Sequence, residues 1–331
     1  MSGMDFTTIA GVPVSRIGLG TWAIGGLDWG TVPEDDAIRT CLAALDHGIN
    51  LIDTAPIYGH GHAEELVGKA IRAHGRREDV YIATKAGLEW KDSGVYANST
   101  APRLRQELED SLRRLGTEFI DLYQVHWPDT ILPVPEVAGV LAEFQREGKV
   151  RTLGVSNFSV AQMEEFRAVA SLASDQPPYN LFERAIDEET LPWCAANGVA
   201  VLTYSSLCRS LLGGRLHRGM TFAADDIRTA DPKFREPQFG QYMTAVERLS
   251  TLARERYGKS LLELAVRWVL DRPGVSVALW GARRPAQLDA VEGVMGWRID
   301  DESMAAIDHI VATSVTDPVG PEYLMPKVRE A

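Results

Sequence analysis

Short β-branched or apolar runs alternate with stretches of helical period nearly to the end of the chain. The apolar runs predict strands at 16–20, 50–53, 80–85, 120–126, 150–156, 174–176, 199–204 and 275–280. Of the amphipathic stretches between them, "APRLRQELEDSLRRLG" is the clearest. Its Leu104, Leu108, Leu112 and Leu115 recur at helical spacing, Pro102 sits where a first turn tolerates proline, and Gly116 stops the helix. Eight strand–helix repeats without a break in composition predict an α/β fold, a closed parallel (β/α)8 TIM barrel, as one domain over residues 1–331. An open doubly wound sheet would carry a G-x-G-x-x-G turn after its first strand, and "GLGTWAIGG" has a different spacing.

Two irregular regions and one cap complete the pattern. "FTTIAGVPVSRIG" reads as an N-terminal β-hairpin turning at Ala10-Gly11, placed to cap the barrel floor. Residues 207–240 show little periodicity and form a long loop after strand seven, rich in bases: Arg209, Arg215, Arg218, Arg228, Lys233 and Arg235. Loops of that length are uncommon unless functional or disordered. The loop 87–102 has no legible shape and is expected to decide specificity.

Charge and cysteine content narrow the function classes. Acids outnumber bases 46 to 34, a net charge of −12, which argues against a nucleic-acid partner or an anionic membrane surface. An anion can be held only by a local cluster of bases. Cys41, Cys194 and Cys208 are widely spaced and fit neither a disulfide framework nor a metal site. The opening "MSGMDFTTIA" carries no secretory pattern and no apolar stretch is long enough to span a bilayer, so a cytoplasmic monomer or weak homo-oligomer is expected.

The chemistry lies in the phase of the polar residues. Asp53, Lys85, His126 and Asn157 each close an apolar run, at separations of 32, 41 and 31 residues, and Gln176 and Tyr204 continue the series. A strand with its return helix takes about thirty residues, so these positions recur at the C-terminal rim, where barrel enzymes gather their catalytic groups. A carboxylate at the end of "NLID" needs a cation, and Lys85 at the end of "VYIATK" is the expected partner. Tyr58, in the turn "PIYG", is then a candidate acid. A phenol titrates near ~10 in water, and a lysine cation held by Asp53 would lower that value. His126 could hydrogen-bond the same carbonyl oxygen. Singly, such residues are usually a salt bridge, a packing tyrosine or a structural histidine; together and in phase they point to proton transfer.

At this point the chain resembles the aldo-keto reductase superfamily, nearest its bacterial single-domain aldehyde reductases. "GLGTW", "NLIDTAPIYGHGHAEELVGKAI", "IATK", "DLYQVHWPD", "GKVRTLGVSNFS", "QPPYNLFER", "TYSSLCRSLLGG" and "WGARRPAQL" occur in the family's order and spacing. The resemblance implies metal-free, NAD(P)H-linked reduction of small carbonyl compounds, with Asp53, Tyr58, Lys85 and His126 as the catalytic tetrad. It implies a cofactor site at Gly20, Thr21, Trp22 and Asp53, with Ser156, Asn157 and Gln176 on the nicotinamide carboxamide and Tyr204 stacked on its ring. Ser205, Leu207, Arg209 and Gly213 would follow the pyrophosphate, and Gly281, Arg283, Arg284 and Gln287 the adenosine end. Two guanidinium groups at a helix start favour NADP(H) over NAD(H). Trp22, Trp90 and Trp127, with Tyr58 and His126, would wall the substrate pocket. The implied substrates are short aldehydes, α-dicarbonyls and short aldoses.

The chain departs from the family at three places: Ala63 replaces a serine expected to cap a helix, Trp280 replaces a proline, and Ala290-Val291 replace a Glu-Asn pair near the adenine. Two alternatives remain open. One is a cofactor-binding regulatory subunit resembling potassium-channel β subunits; the other is a Schiff-base lyase using Lys85.

Overall fold

In the computed structural model, which describes residues 3–329, the chain opens with an antiparallel hairpin, β1 (Phe6–Ile9) and β2 (Val12–Ser15). The repeating units follow as β3 (Ile17–Gly20), α1 (Glu34–Asp46), β4 (Leu51–Asp53), α2 (His62–His74) and β5 (Tyr81–Ala86). A second hairpin, β6 (Leu88–Lys91) and β7 (Gly94–Ala97), precedes α3 (Ala101–Leu115). Then come β8 (Ile120–Val125), α4 (Val134–Arg146), β9 (Val150–Ser156), α5 (Val160–Arg167), β10 (Ser174–Gln176), α6 (Thr190–Asn197) and β11 (Ala200–Thr203). The chain ends with α7 (Gln238–Tyr257), α8 (Leu261–Asp271), β12 (Val275–Gly281) and α9 (Asp301–Ser314). Strands β3, β4, β5, β8, β9, β10, β11 and β12 form a closed parallel barrel in that order. All eight predicted strands are present, with no end shifted by more than one residue.

Alternation along the strands builds the interior. Leu51, Tyr81, Ala83, Leu122, Ala200, Leu202, Val277 and Leu279 pack in one buried cluster with Ile9 and Val14 of the hairpin. The hairpin thus plugs the floor, as its position in the sequence predicts. The next inward positions up the same strands, two residues on, are Asp53, Lys85, Gln124, Tyr204 and Gly281. The apolar plug therefore ends one layer below the polar rim.

Other features were not legible beforehand. Loop 87–102 is largely the β6–β7 hairpin. Loop 207–240 contains short 3-10 turns at Leu211–Gly213, Ile227–Thr229 and Pro232–Phe234, and an extra helix, α7, follows before the return helix α8. The C-terminal tail lies back over the mouth, where the Lys327 amide donates to the Val95 carbonyl at 2.8 Å and Arg329 reaches Asp129 at 3.1 Å. Ala63 is fully buried inside the first turn of α2, whose N-cap is Gly61, so its position is not the capping one. Trp280 and Val291 pack in the main core. The three cysteines are free and buried. Among the described residues no helix is long and apolar enough to cross a membrane, and no His, Cys, Asp and Glu side chains cluster as metal ligands.

Candidate active site

Four elements converge at the barrel mouth. Asp53 closes β4, Lys85 lies near the end of β5, His126 follows β8, and Tyr58 is carried by the turn between β4 and α2. That turn is held by bonds from the Tyr58 amide to the Ala55 carbonyl at 3.1 Å and from the Ala63 amide to the Tyr58 carbonyl at 3.2 Å. Lys85 Nζ donates to both Asp53 oxygens, at 2.9 and 2.7 Å, to the Thr54 carbonyl at 3.0 Å and to Tyr58 Oη at 3.2 Å. The His126 ring meets the Tyr58 ring edge to face at 5.9 Å, and Trp22 stacks on Tyr58 from another side at 6.2 Å.

Burial dominates the proton affinities here. It pushes the Tyr58 phenol well above its ordinary value, and the Asp53 carboxylate adds to the effect. It draws Lys85 below the usual lysine value against the opposing pull of Asp53. It holds His126 well below the imidazole range, with the Lys85 charge acting in the same direction. Burial thus outweighs the lowering of the Tyr58 pKa expected from Lys85, and the phenol is protonated at rest. His126 is a neutral ring.

One polar chain extends from this centre. Gln176 Nε2 donates to Asp53 Oδ1 at 2.8 Å, Ser156 Oγ donates to the Gln176 carbonyl at 2.7 Å, and Asn157 Nδ2 donates to Ser156 Oγ at 3.0 Å. Tyr204 Oη donates to Asn157 Oδ1 at 2.9 Å. The inward rim position on β9 is Ser156 rather than Asn157, which follows it in a left-handed conformation (φ 63°). Ser156, Asn157, Gln176 and Tyr204 all line the mouth beside Tyr58 and His126.

Two adjoining cavities share Trp22, Tyr58 and Tyr204. The first, about 300 Å³, runs over Gly20, Asp53, Ser205, Leu207, Leu279 and Gly281 toward Arg228, Arg283 and Gln287. Its lining fits a nicotinamide dinucleotide. A Cβ at Gly281 would meet nothing within 4 Å, and Trp29 Nε1 and Arg283 Nε are buried donors with no partner among the described residues. Arg215, Arg283, Arg284, Ala286 and Gln287 line a further cleft at its outer end. Burial and then the Arg284 charge hold Arg283 below its ordinary value, so an anion there would relieve like-charge repulsion. The expected helix start is a single 3-10 turn, Pro285–Gln287, and the Gln287 side chain accepts from the Arg283 and Arg284 amides at 2.7 and 3.1 Å. The arginine side chains, not a helix dipole, make this end positive.

The second cavity, about 340 Å³, is walled by Ile57, Leu88, Val95, His126, Trp127, Ile227 and the tail residues Tyr323 to Lys327, with Asp28 on its rim. Trp90 lines neither cavity; it stacks on His60 at 4.9 Å and fixes the β6–β7 hairpin. Gly213 is also outside both linings, and Thr21 is buried, its hydroxyl donating to the Asp53 carbonyl at 2.9 Å. Arg209 borders the first cavity, but its guanidinium is turned into a buried cluster with Glu183 and Asp231. Sequence reasoning missed Asp28, Trp29, Gln124 and the tail. Arg215 and Arg228 were visible only as members of a basic loop.

Comparison with known proteins follows the same lines. Residues 16–312 match the profile of the aldo/keto reductase family. Aldo-keto reductase YhdN of Bacillus subtilis (strain 168) is 52% identical over 329 residues, covering 99% of each chain. An NADH-specific methylglyoxal reductase of Escherichia coli (strain K12) is 35% identical over 84% of this chain and 88% of its own. Among solved structures, glycerol dehydrogenase AKR11B4 from Gluconobacter oxydans superposes with a TM-score of 0.87 at 49% identity, covering 97% of this chain and 99% of that one. An aldo/keto reductase from Klebsiella pneumoniae in complex with NADP and acetate gives 0.70 at 26% identity, over 97% and 96%.

Proposed function

Because the chain belongs to the aldo/keto reductase family and is an oxidoreductase of that kind, we propose that it reduces short aldehydes, α-dicarbonyls and short aldoses with NADPH, Tyr58 acting as the acid. The observation that carries this reading is the position of Lys85 Nζ, between both Asp53 oxygens and the Oη of Tyr58, the tyrosine that both cavities share. Bound cofactor would supply the hydride. Tyr58 gives its proton to the carbonyl oxygen as negative charge develops there. Lys85 donates to the phenolate left behind, and Asp53, buried with it, balances the lysine charge. Neutral His126 helps hold the carbonyl oxygen. In alcohol oxidation the same groups run in reverse.

The lining of the first cavity supports the cofactor assignment, with Tyr204 as the stacking face and Gly20, Trp22, Ser205, Leu207 and Gly281 along the groove; Ser156, Asn157 and Gln176, on the adjoining wall that shares Tyr204, would meet the carboxamide. Arg215, Arg283 and Arg284 favour the 2′-phosphate of NADPH, although the E. coli relative is NADH-specific. Ala290 and Val291 pack against or within the core and leave the adenine ring without the polar pair of relatives. Tyr58→Phe should keep NADPH affinity near wild type while turnover falls about 100-fold or more, the range of a lost general acid. Wild-type turnover in that variant would remove Tyr58 from the mechanism. The lowered pKa of Lys85 favours a second reading, Schiff-base chemistry. Borohydride trapping of a carbonyl substrate would then add mass at Lys85, and four bonds from its Nζ weigh against that result.

A further inference from the structure

Between the two cavities lies a buried set of four charges that the mechanism does not use. Glu183 follows β10, Arg209 follows β11, and Asp231 and Lys233 belong to the long loop. Their side chains are at most 2% exposed. Arg209 donates from Nε to Asp231 at 2.7 Å and from a terminal nitrogen to Glu183 at 2.5 Å. Its other terminal nitrogen reaches Ser205 Oγ at 3.0 Å. Lys233 Nζ lies 2.8 Å from the same Glu183 oxygen and 3.7 Å from Asp231, and donates to the Gly320 carbonyl at 3.1 Å. Asn180 Nδ2 closes the set on the second Glu183 oxygen at 2.6 Å. Two acids thus meet two bases, and the charge balances.

The set reaches the cofactor groove through Arg209 and stays out of the substrate cavity itself. Arg209 borders the cofactor groove, whereas Tyr323 borders the substrate cavity. The Tyr323 ring sits over the cluster, 5.4 Å from the Arg209 guanidinium and 5.9 Å from Lys233 Nζ. Burial by itself would raise Glu183; Arg209 and Lys233 more than offset it, so the carboxylate stays ionised. A buried ionic set is poor evidence of stability, since apolar residues of equal volume serve as well. What it does supply is directional bonds that only one arrangement of three loops can satisfy.

Resting on the carbonyl-reductase reading above, we propose that Lys233 is a positioning residue for substrate specificity: by clasping Glu183 and the Gly320 carbonyl it sets the tail so that Tyr323 walls the substrate cavity. Lys233 touches neither cavity, and its effect passes through the tail.

The test compares wild type, Lys233→Met and Lys233→Arg in steady-state kinetics with a carbonyl substrate at saturating NADPH. NADPH affinity is read separately by fluorescence titration, and folding by circular dichroism. Lys233→Met should raise KM for the carbonyl substrate about ten-fold, as misplacement of a binding wall does. Its kcat and NADPH affinity should stay near wild type, and Lys233→Arg should recover most of the loss. A folded Lys233→Met with unchanged KM would overturn the proposal. So would a fall in apparent kcat that tracks the folded fraction while KM stays at the wild-type value. If Lys233→Met does not fold, Tyr323→Ala on the tail carries the test, and an unchanged KM there overturns the proposal equally. Failure of wild type to consume NADPH with any carbonyl would instead remove the reading beneath it.

Discussion

At the scale of single residues, the site depends on how closely the Tyr58 turn approaches the loop after β3. A Cβ placed on Gly25 would lie 2.8 Å from the Tyr58 carbonyl carbon and 2.9 Å from the Gly59 amide, both backbone atoms that cannot swing aside. Gly25→Ala should therefore displace the phenol and lower kcat by about ten-fold or more, because misplacements of an ångström are costly in catalysis. Gly25 lines neither cavity, so NADPH affinity should hardly change, and stopped-flow turnover against a binding titration separates the two effects. Proton affinities give a second check. His126 is held neutral by burial and then by Lys85, and Tyr58 is held protonated by burial and then by Asp53. Neither group changes charge between ordinary imidazole and phenol values, so reductive kcat/KM should show no inflection near ~6.5 from His126. An inflection there in wild type that disappears in His126→Asn would contradict the neutral assignment.

Elements carry their own consequences, and β10 is the clearest. Asp175 points away from the barrel axis and is wholly buried, and the Gln176 and Phe158 amides near its oxygens are too poorly aligned for full hydrogen bonds. Burial raises its carboxyl to about 8, with the Gln176 and Phe158 amides opposing the shift. A raised acid costs nothing below the ordinary value of about 4, where folded and unfolded chains are both protonated. As pH rises toward 8 the unfolded chain releases the proton first, so the folded state loses stability across that window, by a few kcal/mol at most. Asp175→Asn should flatten the fall in melting temperature between pH 5 and 8; an unchanged slope would place the effect elsewhere, Glu107 being the next candidate, raised to about 7 by burial. Legibility at this scale follows from periodicity. Leu51 to Asp53 and Tyr81 to Lys85 advance by twos along one inward face, so the sequence pattern located the rim. Asn157 misled the same argument, since the turn after β9 begins one residue earlier and inverts its backbone. The β6–β7 hairpin, the tail and the four-charge clasp left no such trace. The partners of the tail and of the clasp, as with Lys327 and Val95 or Lys233 and Glu183, are distant in sequence and obey no period.

At the scale of the whole molecule, charge sets the terms of cofactor binding. A chain of net charge −12 repels a polyphosphate until the ligand comes near a local positive field. That field is supplied at the outer end of the groove by Arg283 and Arg284 after β12 and by Arg215 from the loop after β11, which line one cleft. Arg283 is partly committed, its terminal nitrogen donating to the Gly30 and Thr31 carbonyls at 3.2 Å. For Arg215 and Arg284, no side-chain hydrogen bond or ion pair occurs among the described residues, so these are the groups free to meet a dianion. A charge-assisted bond of that kind contributes roughly 1.5–3 kcal/mol, which corresponds to about ten-fold or more in affinity. Arg284→Ala should weaken NADPH binding by about that factor while leaving NADH binding nearly unchanged, and Arg215→Ala should act in the same direction. Raising the salt concentration should erode wild-type NADPH affinity more steeply than that of Arg284→Ala, because screening acts on the pair that the variant has already lost. Equal losses for NADPH and NADH in Arg284→Ala would instead assign the arginine to the pyrophosphate or to the fold of the loop. The preference for the phosphorylated cofactor would then need another source.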